Sequence, residues 1–587
     1  MHAEKSRVHR PEANHRSGQP PGLVGIFRPR CPPGDRFLCH CFSKGRSRCP
    51  PRSRCPHDSA SPQLSAEKAR SCLLPAAAGE SLASATASEH RPPPPAARPL
   101  VTLLSCYMTG STEGRNLGTP GYSHDFVARA YAPLLARHGE VRVVPDAQAD
   151  LDGMVDAVLA EGKLPLHFSI LPLQDVVLAR RAVNVAVPAW EYPDVPNHAF
   201  DGNAQNDWPQ TADRCDMVLV SGPFTHEALR RGGASGAIRM VQVPVEDAYF
   251  AIPLWQPGQT RSLDCRAFVF PQTRPTVATN RPLRRRESLR KQIAKDLEES
   301  IRDAARRLLG GRFTAAISAG LRQLKSRRIA ARTKGGRPTI RLPYESVSQV
   351  KLSGVVYTSI FNPDDGRKNW PDLINGFLLA LGDREDATLV LKLITSRAAS
   401  VDHVIRHIFN RGIEFRCRLV VICDFLDEEQ LHQLTEATTF YLQASRAEGN
   451  CLPLMNHLAA GRPGISPDHS SMSDYFGPES GFVVESHPEP AAWPHEKRQR
   501  LLTTWGRIVW TSLRDQIRAS YAMATGDPVG YAALGRSSRQ HMRSWAGREA
   551  VTQRLDAALD AVIGLTRGIV SRADEPAGSS PADRRAA

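Results

Sequence analysis

The distribution of apolar and polar residues predicts alternating short strands and amphipathic helices over residues 100–272. Leu100–Met108 is a continuous apolar run, which is typical of a buried parallel strand. A glycine-rich turn follows, and helical spacing then extends from about His124 to His138. Later apolar runs are EVRVVP, PLHFSILP, AVNVAVPAWEYP and CDMVLVSG, and the last leads into the helical segment PFTHEALRRGG. This alternation predicts a doubly wound parallel α/β domain.

A second series of the same kind begins at Gly354–Asn362. It continues through the helix WPDLINGFLLAL, the strands ATLVLKLI and RLVVIC, the helix DEEQLHQLTEA, and the strands TTFYLQAS and GFVVES. Beyond Trp493 the pattern predicts helices to about Leu565. We therefore expect two Rossmann-like α/β domains.

Composition sets the boundaries of these domains. Residues 1–98 are rich in Pro, Arg, Ser and Ala without periodicity, and they indicate a disordered or spurious extension. Residues 273–348 form a basic insertion with the spacing of amphipathic helices. We predict an N-terminal domain at 99–272, a C-terminal domain with further helices at 349–566, and a disordered tail at 567–587.

The net charge of +16 is concentrated in the extension and the insertion. Residues 273–341 alone carry 20 Lys and Arg against five Asp and Glu. Three interpretations fit this charge: a solvated helical hairpin packed on the core, a contact with anionic lipid at a membrane surface, and nucleic-acid binding. Nucleic acid is the least favoured, because aromatic residues do not interleave with the basic ones to stack on bases.

The cysteines and the hydropathy favour a cytoplasmic protein. Six of the 12 cysteines lie in the first 72 residues and the others are scattered singly, which suits a reducing compartment better than a disulfide framework. The cysteine spacings match no tetrahedral zinc pattern. No run approaches the roughly 18 apolar residues of a transmembrane helix.

The segment RAEGNCLPLMNHLAAGRPGIS, residues 446–466, combines a carboxylate with the start of a helix. Glu448 follows the strand FYLQAS, and open α/β sheets bind ligands beyond the carboxyl ends of their strands. Pro453 suits the first turn of a helix that Gly461 ends. A helix N-terminus attracts a diphosphate, whereas a carboxylate suits the hydroxyl groups of a sugar. The alternative is that Glu448 is a plain helix cap.

A second cluster, FNPDDGRKNWPDLINGF, places two cations at another strand end. Arg367 and Lys368 follow the strand and an acidic turn, just before a helix that starts near Pro371. Cations in this place can neutralise the charge that develops on a leaving diphosphate. The alternative is a solvated pair that flanks the helix.

Together the two clusters resemble the retaining GT-B glycosyltransferases of family 4, also labelled glycosyl transferases group 1. That family has an RKN or RKG element at the helix after the first strand of its C-terminal domain, matched here by GRKNWPDLINGF. Its EGFGLPxxEAMAxGxPV element is matched by EGNCLPLMNHLAAGRPGI. The segments VSGPFTHEALRRGG and IRMVQVPVEDAYF resemble the end of the family's N-terminal domain. The resemblance covers roughly 100–272 and 350–565 and implies the GT-B fold, in which two Rossmann-like domains face a cleft.

The resemblance also implies a nucleoside-diphosphate sugar as the donor. Lys368 and Arg367 would hold the diphosphate and Glu448 the sugar hydroxyl groups, and these three are the predicted catalytic residues. The backbone of the next loop would contact sugar and phosphate, through Gly449, Asn450, Cys451 and Leu452. The glycine loop with Gly110 would lie across the cleft, near the diphosphate or the acceptor. We expect no cofactor and no metal, because cations and helix dipoles supply the charge and no Asp-x-Asp motif stands in a suitable place.

The sequence departs from the family pattern at three positions. Asn456 replaces a second glutamate that commonly contacts the ribose, and asparagine lacks the charge-assisted hydrogen bonds of a carboxylate. Asn362 stands where the family often has an arginine. The usual histidine of the N-terminal domain is not evident, and Glu191 in PAWEYP, at about that place, is the predicted acceptor-side residue. Lys392 in LVLKLI is expected to point into the cleft and to complete the donor-binding set.

The main hypothesis is a cytoplasmic hexosyltransferase that moves a sugar from a nucleotide sugar to a glycan or lipid-linked acceptor with retention. Surface polysaccharide or glycolipid assembly is the expected role, with a peripheral contact of residues 273–341 with the inner membrane face. Asn456 and Asn362 motivate a first alternative, a catalytically weakened protein that binds a nucleotide sugar or a glycan. The second alternative is a basic interaction protein whose helices bind lipid or nucleic acid.

Overall fold

The computed structural model describes residues 99–107, 117–119, 121–270, 344–409, 414–493, 496 and 501–573, with side chains to residue 564. The predicted N-terminal extension, Gly110, all but the end of the basic insertion and the tail from residue 574 lie outside these residues. The interpretations given to them therefore stay predictions.

The first domain is built on a six-stranded parallel sheet. Its strands are β1 (Leu100–Cys106), β2 (Gly139–Val143), β3 (Leu164–Ile170), β4 (Val183–Ala186), β5 (Met217–Val220) and β6 (Ile238–Met240). They lie in the order β2-β1-β3-β4-β5-β6. The connecting helices are α1 (Gly121–Leu135), α2 (Ala147–Ala160), α3 (Trp208–Arg214), α4 (Pro223–Gly232) and α5 (Asp247–Ala251). Every residue of β3 is buried, as expected for a parallel strand covered on both faces.

The second domain contains an eight-stranded sheet. Its strands are β7 (Thr260–Phe270), β8 (Glu345–Ser353), β9 (Val355–Phe361), β10 (Ala387–Leu393), β11 (Arg418–Ile422), β12 (Phe440–Leu442), β13 (Gly464–Ser466) and β14 (Gly481–Val483). They lie in the order β14-β13-β12-β9-β10-β11-β7-β8. The chain thus runs from β9 through β10 to β11 and then returns to the other side of β9, which is the strand order of a Rossmann fold.

Four helices follow strands of this sheet: α6 (Trp370–Leu381), α7 (Ala398–Phe409), α8 (Glu428–Ala437) and α9 (Leu452–Ala459). The helix α6 shows why they pack as they do. Its buried residues Ile374, Phe377 and Leu378 recur at helical spacing and face the core formed by β9, β10 and β11. The sequence prediction of an α/β fold with two Rossmann-like domains is confirmed.

After β14 the chain forms an antiparallel hairpin and three helices. The hairpin strands are β15 (Ser486–Ala492) and β16 (Leu502–Ile508), and the helices are α10 (Trp510–Gly526), α11 (Pro528–Ala546) and α12 (Arg548–Ala573). The prediction of helices throughout the chain beyond Trp493 is therefore wrong for β16. The buried positions of this strand, Thr503, Gly506 and Ile508, follow no helical spacing, and its backbone pairs with β15 in a continuous antiparallel register from Ser486–Ile508 to Ala492–Leu502.

Two segments lie in a different domain from the one that their sequence position indicates. Strand β7 precedes residue 272, yet it pairs with β11 in the second sheet through an antiparallel register that matches Val420 with Val269. The helix α12 follows the second domain, yet Leu555 and Leu559 pack into the core of the first sheet. The pairing partner of β7 is distant in sequence, so composition alone does not reveal it.

Among the helices of the described residues, none combines the length and the hydropathy that a transmembrane span requires.

Candidate functional site

The strand order of the second sheet changes direction between β9 and β12. The chain leaves β9 towards β10 on one side, whereas β12 lies on the other side of β9. In open α/β sheets the loops that follow two such strands diverge and leave a crevice where ligands bind. The cation cluster follows β9 and Glu448 follows β12, so this topology brings the two sequence motifs together.

The cation turn is fixed by its own acidic residue. The Asp365 carboxylate accepts a hydrogen bond from the backbone N–H of Arg367 at 3.1 Å and pairs with the Arg367 guanidinium at 2.8 Å. Asn369 has φ 45°, a left-handed conformation that turns the chain into α6, where Pro371 occupies the first turn. These local contacts hold Arg367 and Lys368 at the end of β9.

Glu448 is buried and bound to Lys368. The Lys368 ammonium donates to both carboxylate oxygens, at 2.7 and 2.8 Å, and the Gln443 amide donates to one of them at 3.0 Å. Glu448 is 4% exposed. Burial alone would raise the pKa of its carboxyl, but the charges of Lys368 and Arg367 outweigh burial and hold that pKa below its ordinary value. The site thus contains an ionised, hydrogen-bonded carboxylate.

The backbone around Glu448 is held from the loop after β13. The Ser470 hydroxyl accepts from the Glu448 N–H at 3.0 Å, and the Ser471 hydroxyl donates to the Glu448 C=O at 2.7 Å. Both serines lie at the start of the short 3-10 helix Ser470–Asp474. These contacts fix the backbone and leave the side chain directed at Lys368.

The helix α9 begins without a side-chain cap. Its N-cap residue is Cys451, which has φ 53° and makes no side-chain capping hydrogen bond, and Pro453 lies in the first turn. Glu448 is therefore not the helix cap that the sequence left open as an alternative. A helix N-terminus without a capping side chain presents a positive end of the helix dipole, which favours an anion.

The first domain reaches the same place through the segment after β4. The Glu191 carboxylate lies 3.1 Å from the Arg367 guanidinium, so an ion pair joins the two domains. A Cβ atom on Gly449 would lie 3.3 Å from the backbone nitrogen of Trp190, which shows how closely the two segments approach. The acceptor-side residue predicted from the sequence is thus beside the predicted donor residues.

Two more cross-domain contacts lie nearby. The Asn362 amide donates to the C=O of Gly118 at 3.3 Å, which places the described end of the glycine loop across the cleft. Both oxygens of Asp474 accept from the Phe224 N–H at the start of α4, at 3.1 and 3.2 Å. Burial raises the pKa of Asp474 to about 7. The described conformation is therefore one in which the domains are in contact around the site.

Three predicted site residues are engaged elsewhere. Asn456 lies close enough to the Tyr249 hydroxyl of the first domain to lower its pKa, against the larger effect of burial. The Lys392 ammonium donates to the Leu393 C=O at 3.0 Å and is 1% exposed, so the structure does not bring it together with Glu448. The Asn450 C=O accepts from the Tyr475 hydroxyl at 2.8 Å.

Gln443 and Tyr192 were missed at the sequence level. Gln443 is a polar residue that follows the apolar strand β12, and a search for polar residues at strand ends would have found it. Tyr192 stands next to Glu191, and its ring is completely buried. Burial raises the pKa of the Tyr192 hydroxyl, although Arg367 opposes that effect. A buried tyrosine has no distinctive sequence signal.

In the part of the chain that the structure describes, no group of three or more His, Cys, Asp or Glu side chains could hold a metal ion. The chemistry available is that of two cations, a buried carboxylate and a helix N-terminus. This combination can bind an anion and, beside it, a group that donates hydrogen bonds.

Several solved structures are similar to this chain. Sucrose-phosphate synthase from Thermosynechococcus elongatus is 13% identical, with 80% of this chain and 100% of that chain covered and a TM-score of 0.44. HepE from Anabaena, in complex with UDP-glucose, is 11% identical, with 79% and 99% covered and a TM-score of 0.42. A glycosyltransferase from Rickettsia africae is 9% identical, with 81% and 99% covered and a TM-score of 0.42.

No protein-family model matches the chain, and no curated protein sequence matches it. Since the TM-scores of the three structures are 0.42 to 0.44, the fold assignment rests on the strand order of the two sheets.

Proposed function

We propose that this chain is a glycosyltransferase that moves a sugar from a nucleoside-diphosphate sugar to a glycan or lipid-linked acceptor. The observation that carries the proposal is the pair of Lys368 with the buried Glu448 at the direction change of the second sheet. Two cations beside an uncapped helix suit a diphosphate, and a carboxylate within hydrogen-bond distance suits sugar hydroxyl groups. One site thus offers partners for both halves of a nucleotide sugar.

In the proposed reaction the bond between the anomeric carbon and the diphosphate oxygen breaks. Lys368, Arg367 and the start of α9 stabilise the negative charge that develops on the leaving diphosphate. The oxygen of an acceptor hydroxyl forms the new bond to the same carbon, and its proton passes to the departing diphosphate oxygen. Glu448 orients the sugar, and the contact between the two domains excludes water that would otherwise hydrolyse the donor.

Donor binding must rearrange the ion pairs that the site residues make with one another. Lys368 is paired with Glu448, and Arg367 is paired with Asp365 and with Glu191. A diphosphate offers the cations a more highly charged partner, so it can take the place of Glu191 on Arg367. Glu191 would then be available to an acceptor hydroxyl, which is the role that the sequence predicted for it.

Retention, a hexose as the transferred sugar and a role in surface polysaccharide or glycolipid assembly belong to the same proposal. They are supported by the order and spacing of the motifs GRKNWPDLINGF and EGNCLPLMNHLAAGRPGI, which resemble those of family 4. A cytoplasmic location with a contact at the inner membrane face is supported by the charge of residues 273–341.

The test is thermal unfolding of the full chain with UDP, GDP, ADP, dTDP and their sugars. A ligand at about 100 times its Kd adds about 2.7 kcal/mol to the free energy of unfolding. We expect one nucleotide to stabilise the wild type and its sugar conjugate to stabilise it further. In Glu448→Gln the additional, sugar-dependent part should be lost and the nucleotide-dependent part kept.

The matched control is Glu428→Gln, because Glu428 also makes a cross-domain ion pair, with Arg129 at 2.8 Å, but on the exposed surface. This variant should respond to ligands like the wild type. A wild type that no nucleotide or nucleotide sugar stabilises would contradict the proposal. For the ligand that binds, NMR of the product's anomeric proton then tests retention.

The contact of Asn456 with Tyr249 favours a second candidate function. Because Asn456 lies beside Tyr249, which lowers the availability of its amide, a ribose would have to compete with Tyr249 for it. A protein that binds a nucleotide sugar without turnover would fit this arrangement. One measurement distinguishes the two candidates, the release of nucleoside diphosphate from the nucleotide sugar. The enzyme releases it, whether or not an acceptor is added, and the binding protein does not.

A further inference from the structure

The Tyr192 hydroxyl is a buried polar group without a partner. Its residue is 0% exposed, and its ring packs edge-on against Trp190 with ring centroids 5.6 Å apart. Among the described residues, no atom forms a hydrogen bond with this hydroxyl. Burying a hydroxyl without a hydrogen bond is unfavourable, so native structures usually provide a partner.

Other buried tyrosines of this chain do have partners. The Tyr131 hydroxyl donates to the backbone C=O of Val241 and of Gln242, at 3.0 and 2.9 Å. The Tyr531 hydroxyl donates to the Thr439 C=O at 2.8 Å. Tyr192 therefore differs from tyrosines that are equally buried, and the difference is confined to the hydroxyl group.

The surroundings of the Tyr192 hydroxyl belong to the candidate site. The adjacent residue Glu191 pairs with Arg367 at 3.1 Å, and the Tyr192 ring lies in the same buried cluster as Ala447, the neighbour of Glu448. The charge of Arg367 also acts on the pKa of the Tyr192 hydroxyl, more strongly than those of Glu191, Asp365 and Glu448. Tyr192 is attached to the first domain, whereas Arg367 and Glu448 are attached to the second. A ligand held by the second domain would thus come within range of a hydrogen-bond donor of the first.

We propose that the Tyr192 hydroxyl donates a hydrogen bond to an oxygen of the diphosphate that Arg367 and Lys368 bind. The proposal rests on the proposed function. A diphosphate fits better than a sugar hydroxyl, because a charged phosphate oxygen accepts strong hydrogen bonds and the proposed diphosphate lies at Arg367, the ion-pair partner of the adjacent Glu191. Tyr192 then connects diphosphate binding with the contact between the domains, and its unfavourable burial in the ligand-free protein is relieved by the ligand.

The experiment compares the full-length wild type with Tyr192→Phe and with the control Tyr131→Phe. Thermal unfolding first identifies which of UDP, GDP, ADP and dTDP raises the Tm of the wild type most. Titration calorimetry then measures the Kd of that nucleoside diphosphate and the Kd of the corresponding monophosphate. Tyr192→Phe should weaken diphosphate binding about 10-fold or more, since a hydrogen bond to a charged group is lost. Binding of the monophosphate should change less than about twofold.

The Tm of the ligand-free proteins provides the second measurement. Tyr192→Phe removes a hydroxyl without a partner, so its Tm should equal or exceed that of the wild type. Tyr131→Phe removes the one O–H donor that the Val241 and Gln242 carbonyl groups share, so its Tm should fall by about 2–4 °C while its Kd for the diphosphate stays within about twofold. This opposite pattern separates ligand binding from a structural role.

Three outcomes overturn the proposal. An unchanged diphosphate Kd in Tyr192→Phe refutes it and leaves the proposed function standing. An equal loss of diphosphate and monophosphate binding places the hydroxyl at the nucleoside or in the fold. A wild type that binds no nucleoside diphosphate removes the proposed function and this inference with it.

Discussion

Replacement of Lys368 by methionine tests how much the Lys368 ammonium stabilises the buried carboxylate of Glu448. The Lys368 ammonium contacts both oxygens of Glu448, whose side chain is 5% exposed. Without that ammonium the carboxylate keeps one hydrogen bond, from Gln443 at 3.0 Å. Breaking a buried ion pair by removing one partner costs about 3–5 kcal/mol. Since Gln443 and the charge of Arg367 remain, we expect the lower end of that range, about 3 kcal/mol at pH 8.

The pH dependence should change sign in this variant. In the wild type the pKa of Glu448 lies below its ordinary value of 4.5, so the ionised pair adds stability above pH 4.5 that is lost as the pH falls through the lowered pKa. In Lys368→Met the burial of the carboxyl is no longer outweighed, and its pKa should rise. The folded variant then binds a proton more tightly than the unfolded chain, so its stability should fall as the pH rises from 5 to 8.

Thermal unfolding of both proteins at pH 5, 6, 7 and 8 measures the effect. A loss of 3 kcal/mol corresponds to about 6–12 °C in Tm for a domain of this size. The deficit of Lys368→Met should be largest at pH 8 and should shrink at pH 5. Adding Glu448→Gln to the variant removes the buried charge and should restore most of the stability. Lys351→Met, at an exposed position on β8, is the matched control and should change the free energy of unfolding by less than about 0.5 kcal/mol.

The result that refutes this account is a Lys368→Met protein within about 1 kcal/mol of the wild type at pH 8. An additive double variant, with no recovery from Glu448→Gln, would refute it as well. Either outcome means that Glu448 is solvated well enough to stay ionised alone. The ability of Glu448 to bind a neutral sugar would then depend on the contact of its carboxylate with solvent and not on the ion pair with Lys368.

Three further variants test other parts of the structure. Burial lowers the pKa of the Lys392 ammonium from 10.5 to about 8, so the charged lysine destabilises the fold at pH 7. The free energy of unfolding of Lys392→Met, measured by chemical denaturation, should therefore be up to about 3 kcal/mol higher at pH 7. The variant should also lack the rise in stability that the wild type shows from pH 8 to 10.5. Burial raises the pKa of Asp474 from 3.8 to about 7, so the wild type should lose stability as the pH rises from 4 to 7, and the Tm of Asp474→Asn should lack that slope. A Cβ atom at position 449 would approach the backbone nitrogen of Trp190 to 3.3 Å, so Gly449→Ala should weaken nucleotide-sugar binding several-fold in calorimetry, and its Tm should fall by less than about 2 °C. A flat pH profile in the wild type would refute the first two, and a Gly449→Ala protein with unchanged affinity the third.

The central strands and their functional turns could be predicted from the sequence because they depend on short-range patterns. The strand β9, the cation turn and the helix α6 are consecutive, and so are β12, Glu448 and α9. Both motifs follow the carboxyl ends of parallel strands, so their proximity follows from the topology alone. The contact between Lys368 and Glu448 can therefore be predicted from the order of the strands.

What could not be predicted depends on partners that are distant in sequence. The buried positions of β7 alternate, as in an antiparallel strand, but its partner β8 begins only at Glu345, near the end of the predicted insertion. The helix α12 is amphipathic in sequence, yet nothing local indicates that it covers the first sheet. The direction of the Lys392 side chain could not be predicted either. Alternate residues of a strand face opposite sides of the sheet, and both sides of β10 are buried, so the burial pattern does not distinguish them.

The hairpin of β7 and β8 gives the basic segment a particular place in the architecture. Val269 pairs with Glu345, and the rings of Phe270 and Tyr344 lie 5.7 Å apart, so residues 271–343 leave and re-enter the sheet at one point. Strands β10 and β11 separate that point from β9 and the cleft. Segments with adjacent ends can be shortened to a tight turn or exchanged for another domain without changing the register of the strands around them. The register of β7 and β8 thus places no requirement on the length of chain between Phe270 and Tyr344, and we expect variants with a shorter connection at this point to keep the pairing of the two strands.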